Sequence, residues 1–165
     1  ILEIGTAIGY SAISFVSDDN ERVVDTIERD EIMYNEAIKN IDKSGFNKNI
    51  NVIFSDALTV DTTNFSKKYD VIFIDAAKAQ YQKFFEKYIP YLKDDGVVIT
   101  DNILFHGCVE EYVLSKENDL SKNVKNMAKK LDLYNNYLNT LENYRTYYIN
   151  IGDGLALTVK KNENN

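Results

Sequence analysis

The chain of 165 residues contains a single cysteine, Cys108, so no intramolecular disulfide can form. A lone thiol is ordinary in a reducing cytoplasm, and the expected address is cytoplasmic. No apolar run approaches the roughly 18 residues that a membrane-spanning helix needs, and no charged-then-apolar signal segment opens the chain. Positive charge is scarce as well. Lysine and arginine total 19 against 26 acidic residues, a formal net charge of −7. That balance excludes a blanket cationic field for holding nucleic acid, while leaving room for a local basic patch. Internal repeats, linkers and low-complexity blocks are missing. An initiator methionine is missing too: the sequence starts at Ile1 within an apolar run, "ILEIG", that reads as the end of a buried strand. A preceding N-terminal segment is therefore expected, with whatever it adds to a pocket or an oligomer interface.

What is present suffices for one domain over residues 1–165, with 44% hydrophobic residues to build a core. Short apolar runs alternate with segments of helical period, the pattern of an α/β fold with a mostly parallel sheet flanked by helices. "ILEI" precedes a glycine turn and a helix over Tyr10 to Val16; "RVVDTIE" precedes a helix over Glu31 to Lys43. "INVIFSD" leads into a polar stretch, and "YDVIFID" into a helix from Gln80 to Tyr88 whose inward stripe is Phe84, Phe85, Tyr88 and Leu92, with Pro90 marking its end. "GVVITDN" is the fifth strand. Val124, Met127, Leu131, Tyr134, Leu138 and Leu141 recur at helical spacing, predicting a long amphipathic helix from Leu120, continuous or interrupted, that packs on the sheet. "TYYINI" and "LALTVKK", joined by "GDG", predict a C-terminal antiparallel hairpin at the sheet edge, followed by a frayed tail, "NENN".

In such a sheet, ligands sit beyond the carboxyl ends of the strands, so the polar residues that end each strand are the candidates. After the first strand, "EIGTAIGYS" sets Gly5 and Gly9 ahead of a helix, where glycines permit a sharp turn and close backbone approach to a ligand. The third glycine of the dinucleotide fingerprint is absent, which disfavours a nicotinamide dehydrogenase. The second strand ends in Glu28, placed to bind a ribose hydroxyl pair, with Asp25 and Asp30 as nearby alternatives. Asp56 and the Ala57 backbone follow the third strand, where they can meet an adenine. Asp75 ends the fourth strand and Asp101-Asn102 the fifth. Adjacent strands lie about 4.8 Å apart, so these groups can converge as an all-oxygen donor set suited to Mg²⁺. The competing reading makes the two aspartates helix caps or turn residues. Lys78, about one helical turn beyond Asp75, can face the same point and serve as a base if its proton affinity falls.

"EIGTAIGYSA", "TIERD", "VIFIDAAKAQY" and "VITDNILFHG", in this order and spacing, resemble the metal-dependent catechol-type O-methyltransferases that use S-adenosylmethionine. The last two segments are most similar to the bacterial tRNA 5-hydroxyuridine methyltransferases, and the resemblance runs from Ile1 to about Lys161. It implies a Rossmann-like class I methyltransferase fold. It also implies cofactor contacts from Gly5, Tyr10, Ser11, Glu28, Asp56, Ala57 and Asp75, a Mg²⁺ triad of Asp75, Asp101 and Asn102, and Lys78 as catalytic base. The family's helices before the first strand, which help cover the cofactor and build a homodimer, have no counterpart here.

The implied reaction is methyl transfer to a hydroxyl beside a second chelating oxygen: 5-hydroxyuridine in tRNA, or alternatively a small catechol or phenol. Lys116, Lys122, Lys125, Lys129 and Lys130 form a local basic cluster, and 12 tyrosines offer rings for stacking a base. Lysines on an amphipathic helix also serve simply as its wet face. His106 and Cys108, just past the metal motif, read as structural neighbours, although His106 is placed to touch substrate. A non-catalytic nucleoside-binding module is the rival of another class.

Overall fold

The computed structural model describes residues 1–19, 21–63, 65, 68–114 and 120–161. Among the described residues, seven strands form one sheet: β1 (Leu2–Ile4), β2 (Val24–Glu28), β3 (Ile50–Phe54), β4 (Tyr69–Ile74), β5 (Leu92–Thr100), β6 (Tyr144–Ile149) and β7 (Leu155–Lys160). Their order is β3-β2-β1-β4-β5-β7-β6. The first five pair in parallel, while β7 joins β5 and β6 antiparallel. Chain order therefore runs outward in one direction from β1 to β3 and in the other from β4 to β5. The reversal between β1 and β4 is the place where such sheets open a crevice. The expected α/β architecture is the observed one, and the hairpin adds two antiparallel strands on one side of the sheet, β7 beside β5 and β6 at the edge.

Helix α1 (Tyr10–Val16) and helix α2 (Glu31–Ser44) share an apolar cluster with β2 and β3, including Ala12, Val16, Ala37 and Ile41. Helix α3 (Tyr81–Tyr88) and helix α5 (Lys122–Thr140) share a larger cluster with β1, β4 and β5. Asp30 starts α2 by accepting from the Ile32 and Met33 N–H groups, both at 2.9 Å, and Gly45 ends it in the left-handed region.

The long C-terminal helix is one uninterrupted element that packs on the sheet. Leu131, Tyr134 and Leu138 are buried, and the Tyr134 hydroxyl lies 2.8 Å from that of Thr100 on β5. Leu120 falls outside it, because Ser121 is the cap, and Leu141 follows its last turn. Leu92 differs from expectation. The α-helix ends at Tyr88, a 3₁₀ turn spans Ile89–Tyr91, and Leu92 opens β5 opposite Tyr69. Pro90, with no N–H to donate, cannot continue the helix, so the leucine reaches the core from a strand. Helix α4 (Cys108–Leu114) was not expected. It is short and buries only Val109, too little periodicity to read. Lys116 and the tail "NENN" lie outside the described residues. Among the described residues no helix is long and apolar enough to cross a membrane.

Candidate active site

A cavity of about 510 Å³ opens at the carboxyl ends of β1, β2, β3, β4 and β5, across the reversal of strand order. That volume is within the roughly 300–1,000 Å³ range of small-molecule and cofactor sites. Its wall begins with the turn after β1. Gly5 has φ +105, and a Cβ placed on it would lie 2.0 Å from the Asp75 carbonyl oxygen. Only a residue without a side chain allows the β1 turn and the β4 tip to close together there. Gly9 precedes α1 with φ +85. A Cβ on it would sit 3.4 Å from the nearest atom of Ile41, so this glycine answers to conformation more than to crowding.

The expected cofactor residues Gly5, Tyr10, Ser11, Glu28, Asp56, Ala57 and Asp75 all line this cavity, and so does Asp101. Glu28 is the acid that faces it, and its competitors are otherwise engaged. Asp30 caps α2, and the Asp25 carboxylate accepts from the Tyr69 hydroxyl and the Asn51 amide, each at 2.9 Å. Glu28 is held by the Ala7, Arg29 and Asp30 N–H groups, each at 2.8 Å. A carboxylate presents about four acceptor sites, so room remains for a ligand hydroxyl. Asp56 accepts from the Leu58 N–H at 2.8 Å. The Ala57 carbonyl accepts from the buried Tyr88 hydroxyl at 2.6 Å, which anchors the loop after β3 to α3.

Asp75 and Asp101 extend the β4–β5 register beyond the Ile74–Thr100 pair. The Asp75 N–H donates to the Ile4 carbonyl and the Asp101 N–H to the Ile74 carbonyl, both at 3.0 Å, so neighbouring strand ends lock both residues. Burial raises the Asp75 carboxyl above its ordinary value, the Asp101 charge raises it further, and Lys78 pulls it back down. Two carboxylates crowd one partly buried place with incomplete compensation, which suits a hard cation. Among the described residues, no group of three or more His, Cys, Asp or Glu is placed to hold a metal. Asn102 and Lys78 do not line the cavity. Asn102 follows the strand tip in the left-handed region, φ +58, with its N–H donating to the Asp101 carboxylate at 2.6 Å. Lys78 opens the 3₁₀ turn Lys78–Gln80.

The sequence reading assigned no role to Glu3, Arg29 or Gln80. Glu3 has no exposed surface; it accepts hydrogen bonds from the Ser11 hydroxyl and, at 2.5 Å, from that of Thr26. Burial raises its carboxyl, those hydroxyls oppose the rise, and the charges of Asp75 and Glu28 add to it. Its signal was an acid inside a strand otherwise wholly apolar. The Ser11 hydroxyl is thus committed inward as a donor. Arg29 reaches Asp56 at 3.5 Å across the cavity, a pairing its position beside Glu28 makes possible. Gln80 lines the wall with no signal in the sequence.

A family model described as O-methyltransferase matches residues 1–161. Among solved structures, the chain is similar to a Staphylococcus aureus protein provisionally described as a caffeoyl-CoA O-methyltransferase. The two are 46% identical over 97% of this chain and 75% of that one, with a TM-score of 0.89. The likeness to an O-methyltransferase from Bacillus cereus in complex with SAH is one of fold, at 24% identity, 97% and 73% coverage, and a TM-score of 0.80. The same holds for the SAH-bound Podospora anserina methyltransferase PaMTH1, at 21% identity, 98% and 71% coverage, and a TM-score of 0.86. With the strand reversal, glycine turn and strand-end acids as its own evidence, the chain belongs to the S-adenosylmethionine-dependent O-methyltransferase family.

Proposed function

We propose that this enzyme methylates a hydroxyl that stands beside a second chelating oxygen, with Mg²⁺ as its metal, and that the acceptor is 5-hydroxyuridine in tRNA, giving 5-methoxyuridine. The observation that carries the reading is the convergence of Asp75 and Asp101 on the cavity that Gly5, Glu28 and Asp56 also line. S-adenosylmethionine supplies an activated methyl group, and a hard divalent cation supplies the charge that lowers the pKa of the acceptor hydroxyl. Asp75, Asp101 and Asn102 would hold that cation. Glu28 would bind the cofactor's ribose hydroxyls, Asp56 and Ala57 would meet its adenine, and the Gly5–Ser11 turn would hold its methionine end. Lys78, close enough to Asp75 for its charge to be felt there when protonated, takes the proton from the acceptor hydroxyl at Nζ in its neutral amine form. The rest of the chain's work is alignment of the acceptor oxygen with the methyl group.

In 5-hydroxyuridine the O5 hydroxyl and O4 carbonyl form the chelating pair, as two hydroxyls do in a catechol. Support for tRNA comes from the wording of "DAAKAQY" and "DNILFHG". Tyr10, 79% exposed on the cavity wall, offers a ring to a base. Lys122, Lys129 and Lys130 are exposed on the N-terminal half of α5. A small catechol-like phenol is the second reading, favoured by the net charge of −7.

Labelled cofactor, Mg²⁺ and either tRNA lacking the terminal methyl modification or a simple catechol separate the two. Label in tRNA, with affinity falling steeply as salt rises, supports the first. Label confined to catechol, with little salt response, selects the second. Undiminished transfer in excess chelator rules out the metal.

A further inference from the structure

The segment that carries Asp101 and Asn102 is backbone of an unusual kind. Between β5 and α4, Asn102, Phe105 and His106 all have positive φ, at 58°, 50° and 55°, and Gly107 follows at 79°. Left-handed conformations at non-glycine residues cost free energy and persist where the surroundings over-determine them. The surroundings here come from a distant part of the chain, the turn between β6 and β7. The Leu104 N–H donates to the Asp153 carbonyl at 2.8 Å, and the Ile103 N–H to the Gly154 carbonyl at 3.2 Å. His106 Nδ1 lies 2.9 Å from the Asp153 carboxylate. A Cβ on Gly154 would fall 2.4 Å from Leu104 Cγ, so Leu104 sits directly on that glycine. On the far side, the Asn135 amide of α5 donates to the Ile103 carbonyl at 3.3 Å.

We propose that Asp153 is a positioning residue for the reaction: through its carbonyl on Leu104 and its carboxylate on His106, it clamps the loop after β5 in the conformation that presents Asp101 and Asn102 to a divalent cation. Its carbonyl fixes the loop midway, and its carboxylate fixes the loop's far end, two left-handed residues in succession. Asp153 is not among the residues lining the cavity, so it acts on the metal only through the loop. This role rests on the proposed metal-assisted reading of the site.

The test is Mn²⁺ affinity, followed by electron paramagnetic resonance of the free ion in the absence of substrate, alongside S-adenosylhomocysteine affinity by calorimetry and melting temperature. Partners that orient metal ligands are worth about 10–100-fold in affinity when lost. Asp153→Ala is expected to weaken Mn²⁺ binding about ten-fold. S-adenosylhomocysteine affinity should stay within about two-fold, because that pocket's wall does not include the hairpin turn. His106→Ala should reproduce the loss, and the double variant should be no worse than the worse single one, since the two residues share one interaction. Asp153→Asn, which keeps an acceptor oxygen for His106, should recover most of the affinity. Wild-type Mn²⁺ affinity in Asp153→Ala overturns the proposal, and so does a parallel fall of metal affinity, cofactor affinity and melting temperature, which is a structural role only. If wild type binds no Mn²⁺, or Asp101→Ala binds it as wild type does, the metal reading fails and the clamp with it.

Discussion

Replacing Gly5 with alanine tests the place where the cofactor turn meets the strand carrying Asp75. The new Cβ would lie 2.0 Å from the Asp75 carbonyl oxygen, 2.9 Å from its carbonyl carbon and 3.3 Å from Ala76 Cα, all backbone atoms that cannot rotate aside. Bringing the first pair out to ordinary contact, about 3.5 Å, requires the turn and the β4 tip to separate by more than 1 Å. A backbone angle of φ +105 adds about 1–3 kcal/mol of conformational strain, and overpacking adds about 1–3 kcal/mol. A central loss of about 4 kcal/mol corresponds to a fall of about 8–16 °C in melting temperature for a chain of this size. Misplacement on the scale of 1 Å costs about 100-fold in rate, so methyl transfer should fall at least that far in the protein that remains folded. Gly9→Ala is the control. It shares the positive φ, but its Cβ would meet Ile41 at 3.4 Å, so it should lose only about 1–2 kcal/mol. Calorimetric melting curves and S-adenosylhomocysteine titrations on both variants decide the matter. A Gly5→Ala protein that melts and binds like wild type, or a Gly9→Ala protein equally damaged, refutes the close-approach argument.

Three further outcomes are expected. Asp101→Ala should abolish metal-stimulated methyl transfer while keeping S-adenosylhomocysteine binding within about three-fold, a small change against the tenfold that 1.4 kcal/mol represents; retained activity in the variant would remove Asp101 from the metal set. Glu3 should give stability a pH dependence. Because burial raises its native pKa above 4.5, the folded state keeps a proton that the unfolded chain has released, so the stabilising contribution present below 4.5 is lost as pH rises through the raised value. Urea midpoints should therefore fall from acidic to neutral pH more steeply in wild type than in Glu3→Gln, and a difference between the two that does not vary with pH would count against this account. Tyr88→Phe leaves the Ala57 carbonyl without its 2.6 Å donor, which should cost about 1–3 kcal/mol and loosen the loop after β3; unchanged thermal stability together with unchanged cofactor affinity would deny that anchor.

The legibility of the site in the sequence was uneven for physical reasons. Acids that end apolar runs could be read directly, since a strand passing from the core into a crevice must change from apolar to polar at its tip. That logic picked out Glu28, Asp56, Asp75 and Asp101, which line one cavity. It could not separate Glu28 from Asp25 and Asp30, because all three lie close together in the chain. The choice came from their partners: Tyr69 and Asn51 for Asp25, and the first turn of α2 for Asp30. Nor could spacing foresee that Lys78 and Asn102 would stand outside the wall, since a 3₁₀ turn and a left-handed residue redirect the chain immediately after the strand tips.

Taken alone, the sequence determined the alternation of strands and helices, the glycine turn after β1 and the polar strand tips, because each depends on burial and backbone freedom within a few neighbouring residues. Only the tertiary structure decided that Asp75 and Asp101 share a cavity, that Glu3 is sealed beneath Ser11 and Thr26, and that the hairpin turn at Asp153 and Gly154 grips the loop after β5. These are contacts between segments far apart in the chain. They follow from strand order and register, which no local periodicity encodes.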